Sequence, residues 1–175
     1  CDTHRHPSLD EPMAQYAAGL AIEDRDGPEA AKKGMDGNVK LNYALFRMMR
    51  GPDATVLRDV QTFRTGIEYA GLVYGKAPYL YVTLREKLGA DRLHEAIRDV
   101  VQRNRFRILT TEQWIDELEE AAGGSRSEVR ALARRWLEEE HGDEDLGVDE
   151  EGEFVMNAMF DAETASLLLF DEKTQ

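Results

Sequence analysis

Basic residues are scarce in this sequence, and their scarcity limits the partners that the protein can have. The 175-residue chain carries 22 Lys and Arg against 35 Asp and Glu, a formal net charge of −13. Because phosphate contacts need a concentrated basic face, we expect no nucleic-acid partner. The same imbalance argues against binding to an anionic membrane surface. No apolar run approaches the ~20 residues of a membrane span, so we expect no membrane partner.

Cysteine is almost absent as well. The single thiol, Cys1, cannot form an internal disulfide, and cysteine usage therefore says nothing about the redox compartment. Because the chain begins with Cys1 and not with Met, we interpret it as a piece of a longer protein. Hydrophobic residues make up 42% and charged residues 33%, which is typical of a globular domain with a real core.

The spacing of apolar residues predicts a mainly α fold. Met13, Tyr16 and Leu20 share one face of a first helix, expected from Ser8 or Asp10 to about residue 23. Further helices are predicted over residues 29–50 and 76–88, after Asp91, after Thr110 and after Ser125, with a short helix in 55–63 and loop over the rest of 53–73.

Helix boundaries are marked by local signals. Thr110 with Gln113, and Ser125 with Glu128, have the spacing of capping boxes. Helix ends are predicted at Gly89, Gly123, Gly124 and Gly142. Seven of the residues from 143 to 153 are acidic. The sequence therefore predicts an all-α unit over residues 1–142, followed over 143–175 by an acidic linker and a short tail of unknown structure.

Three segments, taken together, resemble the gluzincin zinc aminopeptidases, the group that contains aminopeptidase N. Residues 7–14, Pro-Ser-Leu-Asp-Glu-Pro-Met-Ala, are similar to the family's Trp-Leu-Asn/Asp-Glu-Gly-Phe-Ala, whose Glu is the third zinc ligand; Glu11 holds that place. Residues 69–77 resemble the Tyr-x-Lys-Gly segment, whose tyrosine donates to the oxyanion of the tetrahedral intermediate; Tyr74 holds that place. The third segment resembles the family in the order of its parts: Leu88-Gly89 comes first, then the helix that begins at Thr110, then Trp136-Leu137.

The resemblance covers roughly residues 5–142 and implies a helical, bundle-like half of a thermolysin-like metallopeptidase domain. The parent protein would use zinc to remove N-terminal residues from peptides. The His-Glu-x-x-His segment that supplies two zinc ligands and a general base does not occur here, so we expect it upstream of Cys1. We therefore expect this chain alone to be inactive, not to bind zinc tightly, and to have as partners the upstream half of the domain and a peptide substrate. Ser8 and Pro12 depart from the family's Trp and Gly.

Other interpretations of the same residues stay open. Ser8 and Glu11 have capping-box spacing, so Glu11 could bond a backbone N–H. Tyr74 could be a tyrosine packed at a helix entry, and His4 and His6 could meet Glu11 at a metal. For the whole chain, the alternative to a peptidase fragment is a non-catalytic helical module for scaffolding or protein interaction.

Overall fold

The computed structural model describes residues 2–148, 152, 154 and 155, and this part of the chain is helical without any β-strand. The mainly α prediction is confirmed. The α-helices are α1 (Pro7–Asp26), α2 (Pro28–Gly34), α3 (Leu41–Met48), α4 (Gly66–Tyr69), α5 (Tyr79–Leu88), α6 (Ala90–Arg103), α7 (Thr111–Ala122), α8 (Arg126–Leu137) and α9 (Gly142–Leu146). Two π-helical segments, π1 (Met35–Lys40) and π2 (Ala70–Lys76), join α2 to α3 and extend α4.

The first helix is longer than its periodicity predicts. It begins at Pro7, because the backbone N–H groups of a helix's first turn have no helical acceptor and proline, which lacks an N–H, costs nothing there. Its last residue is Asp26, and the positive φ of Gly27 (93°) prevents the helix from continuing. The second predicted helix occurs as α2, π1 and α3 in succession. In π1, Asn38 Nδ2 donates a hydrogen bond to the Gly34 carbonyl (3.1 Å).

The short helix predicted within 55–63 is present as a 3-10 helix, Val60–Thr62. The prediction of loop over the rest of 53–73 is wrong, because α4 and π2 occupy its second half. Gly66, Gly71 and Gly75 weaken the helical signal there, since glycine is a poor helix former. The helix is held by packing: α3 lies against π2, and α1 packs on α2, π2, α5 and α7. Thr65 caps α4 by accepting from the Glu68 N–H (3.1 Å).

The signals for the later helices are confirmed in part. Gly89, with a φ of 85°, ends α5 and also serves as the N-cap of α6, so this helix begins at Ala90, just before the start predicted after Asp91. The Thr110 capping box is present with both of its hydrogen bonds. Ser125 sits at the N-cap of α8 but makes no side-chain cap, so the second box is wrong.

The helix end predicted at Gly142 is wrong: α8 stops earlier, at Leu137, and Gly142 is the first residue of α9. The short helix α9 then turns at Gly147, which has a φ of 58°. Leu146, Val148 and Val155 are buried in the core. The first part of the acidic segment therefore packs against the fold, while residues 156–175 of the predicted tail lie outside the described residues.

One continuous core connects all the major helices. It is built from Tyr43 and Leu72 on the α3–π2 side and from Leu84, Leu118 and Trp136 between α5, α7 and α8. Trp136 Nε1 donates to Thr83 Oγ1 (2.9 Å), which satisfies its polar atom within the core. None of the helices in the described ranges combines the length and the apolarity needed to cross a bilayer.

Candidate functional site

The two residues singled out by the sequence resemblance face each other. Glu11 lies on α1 and Tyr74 on π2, and both are half-buried. Burial raises the pKa of the Tyr74 hydroxyl, and the nearby Glu11 carboxylate raises it further. The phenol therefore stays protonated over the neutral range and is held as a hydrogen-bond donor.

Glu11 is not a helix cap. The helix starts at Pro7 with His6 at the N-cap, two residues earlier than a Ser8 cap requires, and His6 makes no side-chain cap. The Ser8 hydroxyl is instead hydrogen-bonded to Thr111 Oγ1 (2.9 Å) in a buried contact. The capping-box interpretation of Glu11 is therefore wrong.

A row of aromatic rings continues from Tyr74 through Tyr69 to Phe63. The Tyr69 ring meets the Tyr74 ring edge-on at 5.6 Å between centroids, and the Phe63 ring meets Tyr69 in the same way at 5.1 Å. Burial raises the pKa of Tyr69, and the carboxylates of Glu11 and Asp10 add to the effect. The candidate site thus combines two protonated phenols with the Glu11 carboxylate, and Asp10 lies close enough to act on Tyr69.

The π-helical segment that carries Tyr74 is fixed by two close approaches to α3. A Cβ on Gly71 would lie 2.5 Å from Phe46 Cβ, and a Cβ on Gly75 would lie 2.5 Å from the Tyr43 backbone nitrogen. Neither position has room for a larger residue. The glycines that weaken the helical pattern in the sequence therefore set the position of Tyr74 relative to α1.

Directly after Gly75, Lys76 is fully buried. Its ammonium donates to Asp53 Oδ1 (2.7 Å) and Oδ2 (3.0 Å), and to the Glu139 carbonyl (2.6 Å). Asp53 Oδ2 also accepts the Gly142 N–H (2.8 Å). The lysine of the Tyr-x-Lys segment thus ties π2 to the loop after α3 and to the start of α9.

Asp53 was missed by sequence reasoning, which treated residues 53–73 as irregular. No local signal marks it: its partners lie far away along the chain, and an Asp after Gly51-Pro52 has the appearance of an ordinary turn residue. Tyr69 lies in the segment that resembles Tyr-x-Lys-Gly, and the resemblance gives it no role of its own. Its ring contact with Tyr74 depends on the π-helical geometry, which periodicity does not predict.

Glu11 is the side chain of the candidate site that could ligate a metal ion. Glu11 offers a half-buried carboxylate beside a hydrogen-bond donor, which suits one of the three protein ligands of a catalytic zinc. Over residues 2–148, 152, 154 and 155, no three His, Cys, Asp or Glu side chains are placed to share a metal ion. His4 and His6 therefore do not form such a group with Glu11, and that interpretation is wrong.

No protein-family model, no curated protein and no solved structure matches the chain.

Proposed function

We propose that this chain is the helical part of a zinc-dependent aminopeptidase domain, with Glu11 as the third zinc ligand and Tyr74 as the donor to the reaction's oxyanion. The observation that carries the proposal is that the packing of α1 on π2 brings the Glu11 carboxylate close to the Tyr74 hydroxyl, whose pKa it raises. They come from segments far apart in sequence, and each was identified from a separate motif of the gluzincin family.

The chemistry of the pair suits peptide hydrolysis. A bound zinc ion would lower the pKa of its water and polarise the scissile carbonyl. Tyr74, kept protonated by burial and by Glu11, is positioned to donate its O–H to the oxygen on which negative charge develops. Its position is set by Gly75 and Lys76, which lock the π-helical turn against α3 and Asp53.

The proposal requires two more zinc ligands from outside this chain, in a His-Glu-x-x-His segment of the upstream half. The upstream half would approach α1 from the side on which Glu11 and Tyr74 lie. The isolated chain would then be inactive, and substrate recognition would depend on both halves.

The test is a natural chain extended upstream by about 150 residues, roughly one further domain's worth, and measured for zinc content and for hydrolysis of aminoacyl substrates. We expect one zinc per molecule and aminopeptidase activity. Glu11→Ala should lose zinc and activity together. Tyr74→Phe should retain zinc and lose roughly 10²–10³-fold in kcat, the usual effect of removing one oxyanion donor.

Tyr79→Phe is the matched control, because Tyr79 comes shortly after π2 and its ring stacks on Trp136 (5.7 Å between centroids). It should retain both zinc and activity. If the extended protein folds but binds no zinc and hydrolyses nothing, the peptidase proposal fails, and the alternative of a non-catalytic helical interaction module is left.

A further inference from the structure

A groove runs between the start of α1 and the loop that joins α6 to α7. Its floor is apolar, formed by Leu9 and Met13 on one side and by Val100 and Trp114 on the other, and it encloses about 340 Å³. That volume is at the lower end of the ~300–1,000 Å³ typical of ligand clefts. It is large enough to receive side chains of a bound segment.

The groove contains a hydrogen-bond acceptor without a donor. Asn104 is only 7% exposed, and its Nδ2 donates to the Val100 carbonyl (3.0 Å). This bond fixes the orientation of the amide. The buried Oδ1 has no hydrogen-bond partner among the described residues. Since buried acceptors are normally satisfied, the position calls for an N–H or O–H from a bound group.

The rim of the groove carries a fully exposed aromatic ring. Phe106 is 99% exposed, and its φ of 65° lies in the left-handed region that disfavours a residue with a bulky side chain. Ile108 is 72% and Val101 49% exposed beside it. A strained backbone that presents a phenylalanine to solvent costs free energy, which contacts with a bound partner would repay.

The charge of the rim has the opposite sign to the charge of the chain. Arg105 and Arg107 flank Phe106, and neither makes an ion pair with another described residue. The whole chain carries a net charge of −13, and the groove itself includes one carboxylate, Asp10. Arg105 also lies over the Phe106 ring, 5.5 Å from its centroid. Two copies of so acidic a chain repel each other, whereas two exposed guanidinium groups side by side attract carboxylates.

We propose that this groove docks a segment of another protein in which one or two large apolar side chains are flanked by Asp or Glu. The apolar side chains would enter between Met13 and Val100 and pack under Phe106. The flanking carboxylates would pair with Arg105 and Arg107, and a backbone N–H would donate to Asn104 Oδ1.

The groove lies apart from the Glu11–Tyr74 pair. On a helix with 3.6 residues per turn, Glu11 points about 160° away around the axis from both Leu9 and Met13. Residues that complete a metal site at Glu11 would approach the other side of α1 and leave the groove open. The docking proposal therefore does not depend on the proposed function.

The test uses the 175-residue chain and a phage-displayed library of random dodecapeptides as the probe. We expect the selected peptides to share Asp or Glu next to Leu, Ile or Phe. A fluorescein-labelled peptide of the selected consensus is then titrated with the protein by fluorescence anisotropy, at low and at high NaCl. Binding should weaken with salt, because the pairs with Arg105 and Arg107 are exposed to solvent.

Phe106→Ser and Arg107→Glu should each weaken binding at least tenfold. Both residues are exposed, so these changes leave the fold intact. Met49→Ser and Arg126→Glu are the matched controls: they make the same kinds of change at exposed positions outside the groove and should bind like the unchanged protein. Selective loss in the two groove variants would establish the site.

Three results would overturn the proposal. The first is an absence of enriched peptides, or enriched peptides that bind the groove variants as well as the controls. The second is a dimer in sedimentation that Phe106→Ser abolishes, since the occupant would then be a second copy. The third is protection of a Phe106→Cys thiol from labelling in an upstream-extended chain, since the occupant would then belong to the same polypeptide.

Discussion

The ammonium of Lys76 lies between both carboxylate oxygens of Asp53, at 2.7 and 3.0 Å, with the lysine fully buried and the Asp53 side chain 7% exposed. Two backbone groups complete the cluster: the Glu139 carbonyl accepts from Lys76, and the Gly142 N–H donates to Asp53. The ion pair is thus the junction of three segments, and it lies two residues from Tyr74.

Lys76→Met should destabilise the protein by about 3–5 kcal/mol, because it leaves the Asp53 carboxylate buried without its counter-charge. The free energy of unfolding is measured by urea titration followed by circular dichroism. The double variant Lys76→Met/Asp53→Asn is the control, since the amide can still accept from Gly142 but carries no charge. It should recover part of the loss, and a single variant as stable as the unchanged protein would contradict a structural role for the pair.

Gly75→Ala should cost on the order of 1–3 kcal/mol, the usual effect of forcing extra volume into a packed interior. The added methyl would meet the backbone of Tyr43, which cannot move aside as a flexible side chain can. The same change should shift π2 and lengthen the contact between Tyr74 and Glu11. Urea unfolding measures the first effect, and the tyrosine ring resonances in NMR measure the second.

Gly37→Ala is the matched control for that substitution. Gly37 also lies in a π-helical segment, is exposed, and has nothing within 4 Å of an added Cβ. Alanine is the better helix former by up to about 1 kcal/mol, so this variant should be as stable as the unchanged protein or more stable. Equal destabilisation by both changes would mean that the loss at Gly75 comes from the π-helix itself and not from the contact with α3.

The parts of the fold that sequence predicts are those with a local cause. Thr110 and Gln113 lie three residues apart and cap each other, so the start of α7 can be seen in the sequence. The ion pair of Lys76 with Asp53 joins segments that only tertiary packing brings together, and no sequence pattern next to either residue predicts it. Glu11 and Tyr74 were found by resemblance to motifs; their contact depends on a π-helix whose glycines look like helix breakers.

Thr110→Ala should lower the free energy of unfolding by about 1 kcal/mol, within the ~0.5–2 kcal/mol range for N-cap residues. The Thr110 hydroxyl accepts the Gln113 N–H at 3.2 Å, and the Gln113 side chain accepts the Thr110 N–H at 3.0 Å. Removing the Thr110 hydroxyl leaves the Gln113 N–H without its acceptor. Thermal and urea unfolding both measure the loss.

Ser125→Ala provides the comparison, because Ser125 occupies the N-cap of α8 without capping it. This variant should differ from the unchanged protein by no more than a few tenths of a kcal/mol, the usual size of an uninvolved surface change. A loss equal to that of Thr110→Ala would show that the Ser125 hydroxyl caps α8 in solution, and the helix start would have to be revised.

Asp143 should make the protein more sensitive to acid. Burial alone would raise the pKa of this carboxyl, but hydrogen bonds from Arg47 and Tyr43 outweigh burial and lower it. Arg47 donates to both carboxylate oxygens at 2.6 Å, and the Tyr43 hydroxyl donates to Oδ1 at 2.8 Å. Because the folded pKa lies below the unfolded value of ~3.9, the stabilisation is complete above that pH and is lost as the pH falls through the lowered folded pKa.

Asp143→Asn should therefore be less stable than the unchanged protein at pH 7 and should lose less stability between about pH 4 and pH 2. Other carboxyls with lowered pKa values, such as Glu68, contribute equally to both proteins, so the difference between the two curves isolates Asp143. Asp24→Asn removes an exposed carboxyl by the same change and should run parallel to the unchanged protein. Parallel curves for Asp143→Asn as well would mean that Arg47 and Tyr43 do not hold this carboxylate in solution.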